Sequence, residues 1–182
     1  MQSVEGHRQK LVRIGRSLEG GCIFQTTSAT AIYIPAMWIH ETFTTEGGFL
    51  VAKDFTTSSS ALPMSRYLSL GLDQWLTADN QEMLFEWYSR CLEGSLFNHH
   101  AHEALDAWIQ SRERIVKLVE TPPKWTSSWL RKVKRIWISF LGSQHDHPEA
   151  CPCGETLESF PQHFRAVHLS MFNITQKKGK KS

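Results

Sequence analysis

The chain has 182 residues, 41% of them hydrophobic and 21% charged, with a formal net charge of +2. That balance places it among ordinary globular proteins of one or two domains, large enough to bury a sizeable core. No apolar run approaches the roughly 18–20 residues of a membrane span. Residues 1–10 are polar with no signal pattern, and four cysteines, two of them one residue apart, do not make a disulfide framework. A reducing, intracellular compartment is the expectation.

In chain order, residues 10–14 read as a short strand carrying Leu11 and Val12, Gly20-Gly21 as a turn, and Cys22-Ile23-Phe24-Gln25-Thr26-Thr27 as a second strand. The stretch Ile32-Tyr33-Ile34-Pro35-Ala36-Met37-Trp38-Ile39-His40 reads as one apolar strand, a proline-headed turn and a histidine where the next strand begins. Alternation resumes through Thr42, Phe43 and Thr44, and a Glu46-Gly47-Gly48 turn returns the chain into Phe49-Leu50-Val51-Ala52. β-Branched and aromatic residues between Pro and Gly punctuation predict a hairpin in an antiparallel sheet of about five strands. A histidine at the mouth of such a hairpin can reach a barrel interior, because alternate side chains face inward.

The segment Pro35-Ala36-Met37-Trp38-Ile39-His40, with Gly47-Gly48-Phe49 and Asp54-Phe55 after it, resembles the C-terminal strands of a JmjC domain. That family is a double-stranded β-helix, or cupin, of Fe(II)- and 2-oxoglutarate-dependent dioxygenases, many of them chromatin-associated histone lysine demethylases. The resemblance spans residues 15–57 and puts His40 at the position of the last iron ligand. Met37 stands where the family's turn has Gly, and Ala29-Thr30 where a Gly-Asp turn precedes the strand. The family's His-x-Asp/Glu ligand pair has no counterpart: His7, the one histidine before His40, is followed by Arg8-Gln9. One imidazole does not hold a catalytic iron. The resemblance therefore implies a truncated, catalytically incomplete relative, with iron and 2-oxoglutarate bound only if another segment completes the barrel. An uncovered sheet face would call for a helix, a partner or a second copy in a homodimer.

After the Ser/Thr-rich residues 56–60 the apolar period lengthens to that of a helix. A short helical stretch surrounds Tyr67, Leu68 and Leu72. Asp79 with Glu82 three residues on reads as a capping box, followed by the stripe Met83, Leu84, Trp87, Tyr88, Cys91 and Leu92. A second helix is predicted over 98–120, with Ala101, Ala104, Leu105, Trp108, Ile109, Ile115, Val116 and Val119 apolar and Pro122-Pro123 as its stop. A third is predicted over 127–141, with Trp129, Leu130, Val133, Ile136, Trp137 and Phe140 on one side and Arg131, Lys132, Lys134 and Arg135 on the other. The tryptophans on these stripes read as core. Cys22 and Cys91 read as buried small hydrophobes or inert thiols. The run His99-His100-Ala101-His102-Glu103 reads as a solvated helix start, with a metal site as the sharper alternative.

Near the C-terminus, Cys151-Pro152-Cys153-Gly154, then His163 and His168, form a Cys₂His₂ set with nine residues between the inner pair and four between the histidines. Zinc takes four such donors as a tetrahedron, and H-x₃₋₅-H is the usual histidine spacing. Leu157 and Phe160 stand where a small finger keeps its apolar pair. The set resembles a C₂H₂ zinc finger, although Cys-x-Cys and a nine-residue interval are both shorter than that type's spacing. A structural zinc and a metal-free turn before a short helix both remain open, with His145 and His147 as substitute ligands.

The expected architecture is α+β: a partial double-stranded β-helix (half a JmjC/cupin barrel) over 7–57, a helical bundle over 62–141, a zinc-finger-like module over 150–172 and a basic tail over 173–182. Residues 124–182 hold ten Lys/Arg against four Asp/Glu. A basic C-terminal third favours a polyanion such as nucleic acid or chromatin. No base-reading helix is evident, so contact would be nonspecific. The Lys177-Lys178-Gly179-Lys180-Lys181 run permits a nuclear location, with the cytoplasm as the alternative. Three functions follow: an incomplete JmjC-like protein, a zinc-binding interaction module contacting nucleic acid or chromatin, and a helical scaffold with neither chemistry.

Overall fold

The computed structural model describes residues 20–27, 29–35, 38, 40, 51–53, 55–98, 100–143, 147–148, 150–155 and 159–172. The chain divides into two units, Met1–Ile34 and Pro35–Ser182. In the first, a turn is closed by Thr30 N–H donating to Thr27 O at 3.0 Å, and Thr27 N–H donates to the Thr30 hydroxyl at 2.8 Å.

No strand occurs among the described residues, which corrects both the partial β-helix and the α+β class. Residues 22–27, 32–34, 51–53 and 55 run as irregular backbone. Ile23 is fully exposed, and Phe24, Trp38 and Val51 are each at least 65% exposed. A strand exists only when its N–H and C=O groups meet a neighbouring ladder and one face meets a core. Alternation of β-branched residues supplies neither. Pro35 does head a turn, accepting from Trp38 N–H at 3.3 Å, but His40 beyond it is exposed, with Nδ1 3.2 Å from the Trp38 carbonyl. Among the described residues it belongs to no group of three or more side chains that could hold a metal. The iron-ligand reading of His40 falls, and with it the cupin, Fe(II) and 2-oxoglutarate expectations and the open sheet a partner was to cover. The predicted strand at 10–14, His7, all of 41–50, His99, His145, Leu157 and the lysine tail lie outside the described residues.

The second unit is a helical bundle: α1 (Ala61–Ser69), α2 (Ala78–Phe97), α3 (Ala101–Glu120), α4 (Thr126–Gly142) and the short α5 (Phe160–Val167). A 3₁₀ turn, Ser58–Ser60, leads into α1 and is held by Thr57 and Ser60, whose hydroxyls lie 2.8 Å apart. α1 ends at Gly71, whose φ of +67° lets its N–H turn back to Leu68 O at 2.8 Å. A Cβ there would lie 2.6 Å from the Gln74 side chain. The next 3₁₀ turn, Leu72–Trp75, carries the fully buried Asp73, which accepts from Arg114 of α3 at 2.7–3.0 Å and from Gln81 of α2 at 2.8 Å.

α2 starts earlier than the capping-box pattern predicts. Thr77, not Asp79, is its N-cap, accepting from Asn80 N–H at 3.4 Å. Its buried face is Phe85, Tyr88, Cys91, Leu92 and Leu96, while Met83 is exposed. α1 lies along α3, and α2 packs against both α3 and α4. Two buried polar groups find partners across the bundle: the Tyr88 hydroxyl donates to Ala107 O at 2.8 Å, and Trp129 Nε1–H donates to Phe85 O at 2.7 Å, whereas Trp137 Nε1 and Thr126 Oγ1 are buried with no hydrogen-bond partner among the described residues. Burial lifts the Cys91 thiol to about 11 and the Tyr88 hydroxyl well above its ordinary range, so both are neutral at pH 7. No helix of the described residues is long and apolar enough to cross a membrane.

Candidate metal centre

The segment Cys151-Pro152-Cys153-Gly154 closes on itself, Gly154 N–H donating to Cys151 O at 2.9 Å. Pro152 presets the second position of that turn, and Gly154 takes a φ of +84° that a side chain would strain. α5 then carries both histidines: His163 inside it, its N–H donating to Ser159 O at 3.0 Å, and His168 just past its end, its N–H donating to Phe164 O at 2.9 Å. Pro161 in the first turn lacks a donor only where helical donors are free anyway.

Turn and helix bring four donor atoms together. Cys151 Sγ lies 3.4 Å from His168 Nε2, Cys153 Sγ 3.3 Å from His163 Nε2, and the two Nε2 atoms 3.3 Å apart. All four lie within 4.8 Å of one another and could hold a metal ion; among the described residues they are the only such group. His147 is not part of it: its ring packs on Phe140 and Phe160, with Nε2 3.1 Å from Phe140 O. The His100 and His102 rings pair instead with Glu103 and Asp106 along an exposed helix face.

The cluster has an inner and an outer half. Cys151 and His168 are buried, His163 is partly covered and Cys153 is exposed. Burial pushes the Cys151 thiol up to about 11. Burial, with His163 and Arg112 adding to it, drops the His168 imidazole to about 4. In the metal-free protein His168 is thus already the neutral ligand form, whereas Cys151 must give up a proton to bind. Sequence spacing missed one neighbour: Glu155 Oε2 sits 3.2 Å from His163 Nδ1, the ring nitrogen facing away from the cluster.

The centre is joined to the bundle. Trp108 Nε1–H of α3 donates to His168 O at 3.0 Å, and Phe172 stacks on the Trp108 ring at 6.0 Å. Phe164 packs on Trp137 of α4 with centroids 4.8 Å apart and on the His168 ring at 4.9 Å. Cys151, Phe160, Phe164, Leu169, Met171 and Phe172 belong to the same apolar core as the long helices. No protein-family model, curated protein or solved structure matches the chain, so the JmjC resemblance has no support there either.

Proposed function

We propose that this chain is a zinc-stapled helical interaction module, in which one zinc ion on Cys151, Cys153, His163 and His168 clamps the C-terminal segment to the bundle. The donor spacing carries this reading. Zinc bonds of about 2.3 Å to sulfur and 2.0–2.1 Å to nitrogen, set at the tetrahedral angle, separate S and N donors by about 3.5 Å and two N donors by about 3.4 Å. Three of the six separations here, 3.4, 3.3 and 3.3 Å, fall within a few tenths of an ångström of those edges, and all six lie within 4.8 Å. Four protein donors leave no position for water or substrate, the pattern of a structural site. Two thiolates and two imidazoles also favour zinc over magnesium or calcium, which take oxygen. Chemistry on a substrate is not part of this reading.

The partner side rests on α4. Arg131 and Arg135 are exposed and Lys134 half-exposed along one face, and among the described residues no carboxylate pairs with them. Such a row suits phosphate contact without base reading, and nucleic acid is the partner class we assign to it.

Elemental analysis of the purified chain tests the metal half. One zinc per chain is expected, falling to near zero in Cys151→Ser. A wild-type chain that carries no zinc and takes none up on titration overturns the reading.

A further inference from the structure

The two histidines of the cluster differ at their outward nitrogens. For Nε2 to give its lone pair to a metal, the neutral ring must carry its proton on Nδ1, and that N–H then needs an acceptor. His163 Nδ1 has one in Glu155 Oε2, 3.2 Å away. His168 Nδ1 is buried with no partner among the described residues. The His168 ring is held by other means: it packs on Phe164, and its own carbonyl accepts from Trp108.

We infer that Glu155 is a positioning residue for the metal centre, fixing the tautomer and ring orientation of His163 from outside the ligand sphere. The inference rests on the zinc reading above. Its geometry comes from one short loop. The turn that presents Cys151 and Cys153 ends at Gly154, whose positive φ swings the next residue out of the turn, and that residue is Glu155. Five consecutive residues, Cys151-Pro152-Cys153-Gly154-Glu155, therefore supply two ligands and the acceptor for a third. His163 stands beside exposed Cys153, its side chain 10% exposed and its ring meeting the His168 ring with centroids 5.2 Å apart, and Glu155 is the acceptor that its outward nitrogen has. Carboxylates that accept from a ligating imidazole in this way change metal affinity about 10- to 100-fold when removed. The Glu155 side chain is 62% exposed, so water competes for the hydrogen bond and the low end, about tenfold, applies.

The test is zinc affinity by competition with a chromophoric chelator, for wild type, Glu155→Ala and Glu155→Gln, with imidazole ¹H–¹⁵N spectra of each zinc-loaded protein. Glu155→Ala should bind zinc about tenfold more weakly, and the His163 Nδ1–H signal should exchange faster with water. Glu155→Gln keeps an acceptor oxygen without the charge, and should recover most of the affinity and the slow Nδ1–H exchange. If Glu155→Ala matches wild type while each holds one zinc, the role of Glu155 is overturned and the zinc site stands. A Gln variant as weak as Ala also overturns positioning, because loss of charge alone then explains the effect. A wild-type chain without zinc overturns the inference together with the reading beneath it.

Discussion

Two ion pairs on α3 have nearly the same length, yet burial separates them in effect. Arg114 meets Asp73 at 2.7 Å with side chains 11% and 0% exposed, whereas Lys117 meets Glu113 at 2.8 Å with side chains 62% and 83% exposed. Lys117 draws the Glu113 carboxyl below its ordinary range, but full solvent exposure screens the gain. Asp73 is different because its two oxygens also collect Gln81 and tie the 3₁₀ turn after α1 to α2 and α3. Removing it strands a guanidinium that water barely reaches. Asp73→Ala should therefore lower the unfolding free energy by about 3–5 kcal/mol, while Glu113→Ala should leave the urea midpoint unchanged. Equilibrium urea unfolding of the two variants checks the contrast; equal midpoints would mean that the buried pair contributes no more than the surface one.

Among the elements, α4 has two unlike faces. Trp129, Val133, Ile136, Trp137 and Phe140 are buried, and Lys132 is engaged with Glu86 of α2. Arg131, Lys134 and Arg135 face outward beside Ile138, itself 52% exposed. If these three cations meet phosphates, each releases about 0.9 counterion on duplex DNA, so replacing all three with Ala should flatten the log Kd against log salt slope by about 2.7. Fluorescence anisotropy with a labelled duplex at several salt concentrations measures it; an unchanged slope would remove α4 from the interface. Both faces were legible in the sequence, because helical periodicity is local and all six apolar positions expected on α4 are buried. The start of α2 was less so. Asp79 and Glu82 imitate a capping box, but Thr77 sits where an extended residue can turn its hydroxyl onto a free N–H. Residues 22–27 and 32–34 were misread for a deeper reason. Their alternation is as strand-like as any, but a strand is made by its neighbour, and alternation along one segment says nothing about whether a neighbour exists.

For the helical unit as a whole, the four ligands could be read from spacing, because a turn and one short helix hold all of them. What they are attached to could not. The Trp108–His168 hydrogen bond joins residues 60 apart, and Phe164 on Trp137 is likewise a contact between elements. The apolar residues of the 150–172 segment, Cys151, Phe160, Phe164, Leu169, Met171 and Phe172, belong to the bundle's core. Metal binding and bundle stability are then linked: a ligand bound only by the folded state stabilises it by about 2.7 kcal/mol when present at 100 times its Kd. In a chain of this length that corresponds to roughly 5–10 °C in Tm. Chelation with EDTA should lower Tm by that order and shift tryptophan emission to the red as Phe164 loosens from Trp137 and Phe172 from Trp108. The chelated protein should also weaken on acidification. Its His168 is neutral down to about pH 4 when folded but protonates near 6.5 when unfolded, so protons favour the unfolded chain across that window. Thermal melts of chelated protein between pH 7 and 4 should show Tm falling as pH falls. In His168→Ala that His-dependent part of the slope should be gone. A Tm and emission spectrum indifferent to EDTA in a chain that carries zinc would detach the metal from the bundle, and the staple would then be a bound ion without structural consequence.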